Sequence, residues 1–478
     1  MTVKPRSLLV LLLALAPLAM GEGLPDLGDT SQADLSPQQE RRIGEQLLRD
    51  VRRDPAYLDD VEVETYLNRL VGRLSAASPD VRQDFSVFCV RDATLNAFAW
   101  PGAVIGVHSG LILAAQSESE LAGVLGHEMA HVTQRHIARQ VSKAGQTGVL
   151  QLASLLIAVL AARSNSQVSE AVIVGSQAAS LQAQLSYTRD FEREADRIGL
   201  VTMEGAGFDE HGMASFFERL QRAMRLYETN APAYLHTHPL TSERIADIEN
   251  RIKDHPYRQV PDSQEFQFAR GKLRALQGNP REAVADLEVA VRERPKDIGL
   301  RFGYAHALLS ARKFDAAEAQ LRQLRAQAAP SAMLDNLAAS LRMEAGDAEG
   351  AARIYRAALA RAPHERALVY GLHGALMATR KPDAALALVK DEMGAGQQDY
   401  RLYGMLAKSY AALGKNSAQH RALGEMYAQQ GLYEAAIEQL QLAQKAADSD
   451  FYEMSAIDAR LRELKAKHAE ERKDKRGR

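Results

Sequence analysis

Three rhythms of apolar and polar positions run along this chain, and each predicts a different kind of element. From Pro37 to Leu74, apolar residues return at helical spacing, among them Ile43, Leu47, Leu48, Val61, Val63, Leu67, Leu70, Val71 and Leu74. Pro55 interrupts that run, so two helices are expected. Phe85 to Val90 and Val104 to Val107 are short apolar runs rich in β-formers and predict two strands, with Asn96 to Gly102 turning between them. Helical spacing resumes from Ser119 to Val132 without a proline. It returns from Val168 through Ala183 and Leu185 to Gly199, and Gly205 to Gly207 ends it.

The third rhythm is longer. From about Asp262 the strand signal disappears, and Ala283, Ala317, Ala351 and Ala385 stand 34 residues apart. Four positions after each come Leu287, Leu321, Tyr355 and Val389, and Gly278, Arg312, Gly346 and Arg380 mark the preceding turns. This is the tetratricopeptide period: small alanines let paired helices approach, larger apolar residues fill the seam, and Pro295 and Pro363 separate units. The phase falters after Gly394, but Leu406, Ala407, Tyr410 and Gly414 read as another first helix. Gly424, Tyr427, Gly431, Ala436, Leu440 and Ala443 restore the pattern. Tyr452 to Lys467 reads as a capping helix. The expected fold class is mainly α (α+β), a helical domain with a small β-sheet over residues 36–255, then an α-solenoid over 262–468 and a basic tail over 469–478.

Composition narrows the class. With 478 residues, 46% hydrophobic and 25% charged, the chain has material for two or three ordinary globular domains. A net charge of -2 with no domain-sized basic surface argues against a nucleic-acid partner. Residues 1–21 read as a secretory signal: Lys4 and Arg6 precede the apolar run Leu8 to Leu18, and Ala19-Met20-Gly21 offers small residues for cleavage. The single cysteine, Cys89, excludes an intramolecular disulfide and lies in an apolar run, where a buried inert thiol is expected. The nearly continuous apolar run 149–162 is too short to span a bilayer comfortably and predicts a buried helix or a peripheral membrane contact.

Chemistry concentrates in His127-Glu128-Met129-Ala130-His131, a His-Glu-x-x-His pattern on the Ser119–Val132 helix. One turn separates His127 from His131, so both imidazoles share a face and can bind one tetrahedral cation, with Glu128 beside them in reach of a water. Glu192 and Asp196, one turn apart on a later helix, supply ligand candidates: one can reach the metal while the other orients a ligating histidine. Glu194 points elsewhere. His136, five residues beyond His131, is expected to face away from the metal.

These motifs resemble the zinc metallopeptidases that include HtpX and the CAAX prenyl proteases, and especially their exported BepA-like branch. The resemblance covers about Ser36 to Arg251 and includes the downstream Glu-x-x-x-Asp, an Asn-Ala-Phe-Ala segment at Asn96 to Ala99, and a His-Pro segment at His238-Pro239. It implies a zincin-like domain with one Zn²⁺ held by His127, His131 and Glu192, with Asp196 behind them and Glu128 as general base. His238 would be a regulatory fourth ligand that closes the site, with His236 as competitor; Arg244 is read as a substrate contact or a helix-surface residue. The family's Pro-Gly-Gly is Pro101-Gly102-Ala103 here. The strand region near Asn96 to Val107, with Asn96 and Ala97 as candidate contacts, would pair with extended polypeptide substrates. The resemblance further implies quality control of outer-membrane proteins in the periplasm, with the repeats engaging the assembly machinery or its clients. The alternative is a periplasmic chaperone or adaptor in which the repeats carry the main function.

Overall fold

The computed structural model describes residues 35–80, 83–144, 188–226, 233–396, 399–448 and 450–476; the signal segment 1–21, the apolar run 149–162 and residues 168–187 lie outside them. Two helices open the fold, α1 (Pro37–Val51) and α2 (Val61–Ala77). Ser36 and Gln39 form a reciprocal capping box on α1, and Asp60 accepts from Glu62 N and Val63 N at the start of α2. Three strands follow: β1 (Ser86–Val90), β2 (Ala97–Trp100) and β3 (Val104–His108). In sheet order β1-β3-β2, β3 runs parallel to β1, with Ser86 opposite Val104, and antiparallel to β2, with Ala97 opposite Val107.

The expectation that Asn96 to Gly102 merely turns is therefore corrected: Ala97–Trp100 is an edge strand. The turn contracts to Gly102 and Ala103, whose φ values of 79° and 61° are both left-handed. Ala103 holds this conformation where the resembled family has glycine. Cys89 is buried, and burial pushes its thiol up to about 12, which makes it the inert group expected.

Helices α3 (Ser109–Ala114), α4 (Glu118–Thr133), α5 (His136–Ala144), α6 (Arg189–Gly205), α7 (His211–Leu226), α8 (Ala233–Thr237) and α9 (Ser242–Ile252) complete the first domain. Among the described residues no helix is long and apolar enough to cross a membrane. Its core joins Leu67, Leu70 and Leu74 of α2, Ile105 and Val107 of β3, Leu121 and Leu125 of α4, and Phe216 and Phe217 of α7.

The solenoid is built from α10 (Gln264–Ala275), α11 (Pro280–Glu293), α12 (Ile298–Ser310), α13 (Phe314–Gln327), α14 (Ala332–Glu344), α15 (Ala348–Leu359), α16 (Arg366–Ala378) and α17 (Pro382–Gly394), which pair in sequence. It continues through α18 (Tyr400–Ala412), α19 (Asn416–Gln429), α20 (Tyr433–Lys445) and α21 (Phe451–Arg476). The four alanines of the repeat are all buried at the pair seams. Phe266, Ala269 and Leu273 of α10 belong to the core of the first domain, so the solenoid grows directly out of it. The first helix of several repeats faces α2: Lys272 pairs with Asp60 (2.8 Å) and Glu62, Arg366 with Glu64 (3.1 Å), and Arg401 with Asp59 and Glu64.

Candidate metal centre

The centre lies where α4 crosses α6. Ser117 caps α4 by accepting from Glu120 N, and Thr188 caps α6 by accepting from Phe191 N, so each helix begins at a fixed residue. The two backbones touch at Gly126 and Gly199: a Cβ on Gly199 would lie 3.1 Å from His127 N, and one on Gly126 would lie 3.3 Å from Gly199 O. Glycine at both positions lets the helices approach closely enough for His127 to face Asp196 and Glu192.

Four buried side chains converge there. His127, His131, Glu192 and His238 each offer a ligand atom, all within 4.8 Å of one another. His127 Nε2 lies 3.0 Å from His131 Nε2, 3.3 Å from His238 Nδ1 and 3.6 Å from Glu192 Oε2. Glu192 Oε1 lies 3.0 Å from His238 Nδ1 and 3.5 Å from His131 Nε2. Zinc with nitrogen ligands at about 2.05 Å in a tetrahedron separates its ligands by about 3.3 Å, so these spacings suit that ion. Charge points the same way. Glu128, Glu192, Asp196 and Arg244 are all buried, and their formal balance of minus two is what a divalent cation would neutralise. Neither carboxylate oxygen of Glu128 has a hydrogen-bond partner among the described residues, a costly state for a group with no chemical duty.

Asp196 stands behind the cluster. Its Oδ1 lies 2.9 Å from His127 Nδ1, leaving Nε2 turned to the other ligand atoms. Arg244 lies behind Asp196. The reading of this arginine as a substrate contact or helix-surface group is corrected: it is 2% exposed, donates from Nε and Nη2 to Asp196 at 2.8 and 2.7 Å, and sets Nη1 2.5 Å from Glu192 Oε2. Burial alone would raise the Asp196 carboxyl, but the Arg244 charge and the His127 hydrogen bond override it and hold the group at about 2. The same guanidinium, with His238, keeps Glu192 below its ordinary value against its own burial. Burial pushes the His131 imidazole well down, and the charges around it add to that.

His238 is held from three sides. Its ring stacks on Tyr234 at 4.6 Å, its backbone N–H donates to Tyr234 O, and Arg244 Nη1 donates to Pro239 O. Its Nε2 stands 3.5 Å from Glu128 Oε1. Burial would lower the His238 imidazole, but Glu128 and Glu192 raise it. The competing His236 lies in α8 with a side chain outside the described residues. Tyr234 N also donates to Leu95 O at 3.1 Å, which fastens α8 to the entrance of β2. At that entrance the Ala97 side chain is buried in the core, and Asn96 O accepts from His108 N.

His136 is not remote, as its spacing had implied. The chain breaks out of the helix at Arg135, with φ 53°, and folds His136 back so that its Nδ1 lies 2.9 Å from His131 Nδ1. Glu194 points away from the cluster, as expected, and meets His136 and Arg139.

Comparison with known proteins supplies the lineage. The model of Peptidase family M48 matches residues 58–252, and a tetratricopeptide-repeat model matches 275–341 and 342–409. The beta-barrel assembly-enhancing protease of Yersinia pestis is 31% identical over 453 residues, covering 92% of this chain and 91% of that protein. The chain belongs to peptidase family M48. This M48 metallopeptidase is also 30% identical to the beta-barrel assembly-enhancing protease of Escherichia coli strain K12, over 92% of its own length and 91% of that protein. A Vibrio cholerae protein is 37% identical over 306 residues, and the alignment spans 63% of each chain. The M48 match ends at the residue where α9 ends, and the repeat match begins at the last residue of α10.

Proposed function

We propose that this chain is an exported zinc endopeptidase that removes misfolded or stalled outer-membrane β-barrel proteins, and that the segment carrying His238 restrains it at rest. The observation that carries the reading is the convergence of four buried side chains whose ligand atoms lie within 4.8 Å of one another, with the separations from His127 and Glu192 at 3.0 to 3.6 Å, which suits one tetrahedral zinc. His127, His131 and Glu192 are the permanent ligands. Zinc, when bound, supplies a Lewis acid that polarises a peptide carbonyl and makes a water more acidic.

The chain's own groups do the rest. Glu128, whose oxygens have no hydrogen-bond partner among the described residues, takes a proton from the attacking water once His238 is withdrawn and returns it to the leaving nitrogen. Asp196 fixes the His127 ring, and Arg244 keeps Asp196 and Glu192 ionised. The edge strand β2 pairs with extended substrate through its main chain, which suits unfolded clients of varied sequence. His238 Nδ1 takes the fourth ligand position and its Nε2 covers Glu128. Because Tyr234 also holds Leu95 O, withdrawal of one short segment would free the metal position and the strand entrance together. The names of the Yersinia and Escherichia relatives support outer-membrane β-barrel proteins as the client class, and hence the periplasm as the compartment.

The test compares zinc content and casein cleavage for wild type, Glu128→Gln and His238→Ala. Each protein should hold one zinc, Glu128→Gln should lose about 10²- to 10⁴-fold in cleavage, and His238→Ala should cleave faster than wild type. A wild type without zinc overturns the metal assignment. Cleavage by Glu128→Gln at the wild-type rate removes the general base, and unchanged or slower cleavage by His238→Ala removes the restraint.

A further inference from the structure

The proposed reading uses His131 as a ligand but leaves its second nitrogen unexplained. His127 turns its Nδ1 to a carboxylate, Asp196, at 2.9 Å. His131 instead turns its Nδ1 to another imidazole, that of His136, also at 2.9 Å. His136 is fully buried, and its ring lies flat on Phe191, with centroids 4.4 Å apart and planes at 11°. Its far nitrogen, Nε2, meets Glu194 Oε2 at 3.2 Å, and Arg139 Nη1 donates to the same oxygen at 2.9 Å while its guanidinium covers the other ring of the stack, Phe191.

The direction of this chain of hydrogen bonds follows from one premise, that His131 gives its Nε2 lone pair to the metal. The neutral ring then carries its proton on Nδ1 and must donate from there. His136 Nδ1 must accept, so the proton of His136 sits on Nε2 and is donated to Glu194. A carboxylate at Nε2 selects that tautomer, because an ionised carboxylate only accepts. Arg139 in turn keeps Glu194 in place.

We propose that His136 is a positioning residue for the metal centre, an acceptor for His131 whose tautomer is set by the Glu194–Arg139 pair. This rests on the zinc reading above. The arrangement gives both histidine ligands an oriented partner on the side away from the metal, one a carboxylate and the other a carboxylate relayed through an imidazole. Partners of this kind fix ring orientation and raise ligand basicity, and their loss typically costs 10- to 100-fold in metal affinity.

Two substitutions separate this role from packing. His136→Phe keeps a flat ring on Phe191 but removes the acceptor. His136→Asn loses the stack and leaves space, yet offers Oδ1 near the position of Nδ1. Zinc affinity is measured on the purified full chain by competition with a chromophoric chelator, beside urea unfolding with the metal stripped. His136→Phe should bind zinc about 10- to 100-fold more weakly, with His136→Asn closer to wild type. In stripped protein the order should reverse, with His136→Phe more stable than His136→Asn. The inference is overturned if His136→Phe binds zinc as tightly as wild type, or if zinc affinity follows the same order as stripped stability. Absence of zinc binding by wild type overturns the underlying zinc reading as well, which distinguishes the two failures.

Discussion

Asp196 is where the demands of the site meet, since one buried carboxylate must hold a histidine ring and answer a guanidinium. Its carboxyl titrates at about 2 in the fold, against an ordinary 3.8. The folded state thus holds the proton less tightly than the unfolded chain, so the stabilisation is complete above about pH 4 and fades as pH falls towards 2. The difference corresponds to about 2 kcal/mol. In metal-stripped protein, unfolding by urea at steps from pH 5 to pH 2.5 should show this component, and Asp196→Asn should lack it. Equal pH slopes for the two proteins would show that the pair contributes nothing to folding. The candidate ligands were legible in part: spacing puts His127 with His131, and Glu192 with Asp196, on shared helix faces, while the family resemblance, not spacing, singled out Glu192 and His238. Arg244 and His136 were not. Arg244 reaches the site only because α9 packs back across α6, and no proline or glycine announces the break at Arg135 that returns His136 to His131.

Among the elements, the turns of the solenoid carry a regular conformational demand. Gly278, Arg312, Gly346, Arg380 and Gly414, each 34 residues after the last, all have φ between 56° and 88°. Glycine adopts this region at no steric cost, whereas a side chain is strained there. Gly346 isolates that effect, because a Cβ at this position would meet nothing within 4 Å. Gly346→Ala should therefore cost about 1 kcal/mol through backbone conformation alone, read as a lower urea midpoint at unchanged slope. No loss would mean that the turn relaxes to negative φ. The next left-handed turn, Gly431, comes after 17 residues instead of 34, so α19 serves as second helix to α18 and as first helix to α20. This halving is why the repeat phase falters in the sequence and then returns. β2 escaped notice for a different reason: four residues are too few to show alternation, and Ala97–Trp100 becomes a strand through its pairing with β3.

For the whole molecule, the joint between the peptidase domain and the solenoid decides whether the two act as one body. The acidic start of α2 presents Asp59, Asp60, Glu62 and Glu64 to Lys272, Arg366 and Arg401, which come from three first helices of the solenoid. That side of the solenoid is thus engaged within the chain, a point the repeat phase alone left open. Lys272 is the most buried of the three cations. Burial would lower its ammonium, but Glu62 and Asp60 raise it above its ordinary value. Lys272→Met leaves the buried Glu62 and the partly buried Asp60 facing an apolar side chain, and removing one partner of a buried ion cluster typically costs about 3–5 kcal/mol. Because Lys272 lies on α10, whose Phe266, Ala269 and Leu273 sit in the peptidase core, the damage should cross the joint. Hydrogen exchange should quicken in both α2 and α10, together with a drop in urea midpoint. Faster exchange confined to the solenoid would instead mean that the apolar contacts of α10, and not the ion cluster, couple the two domains.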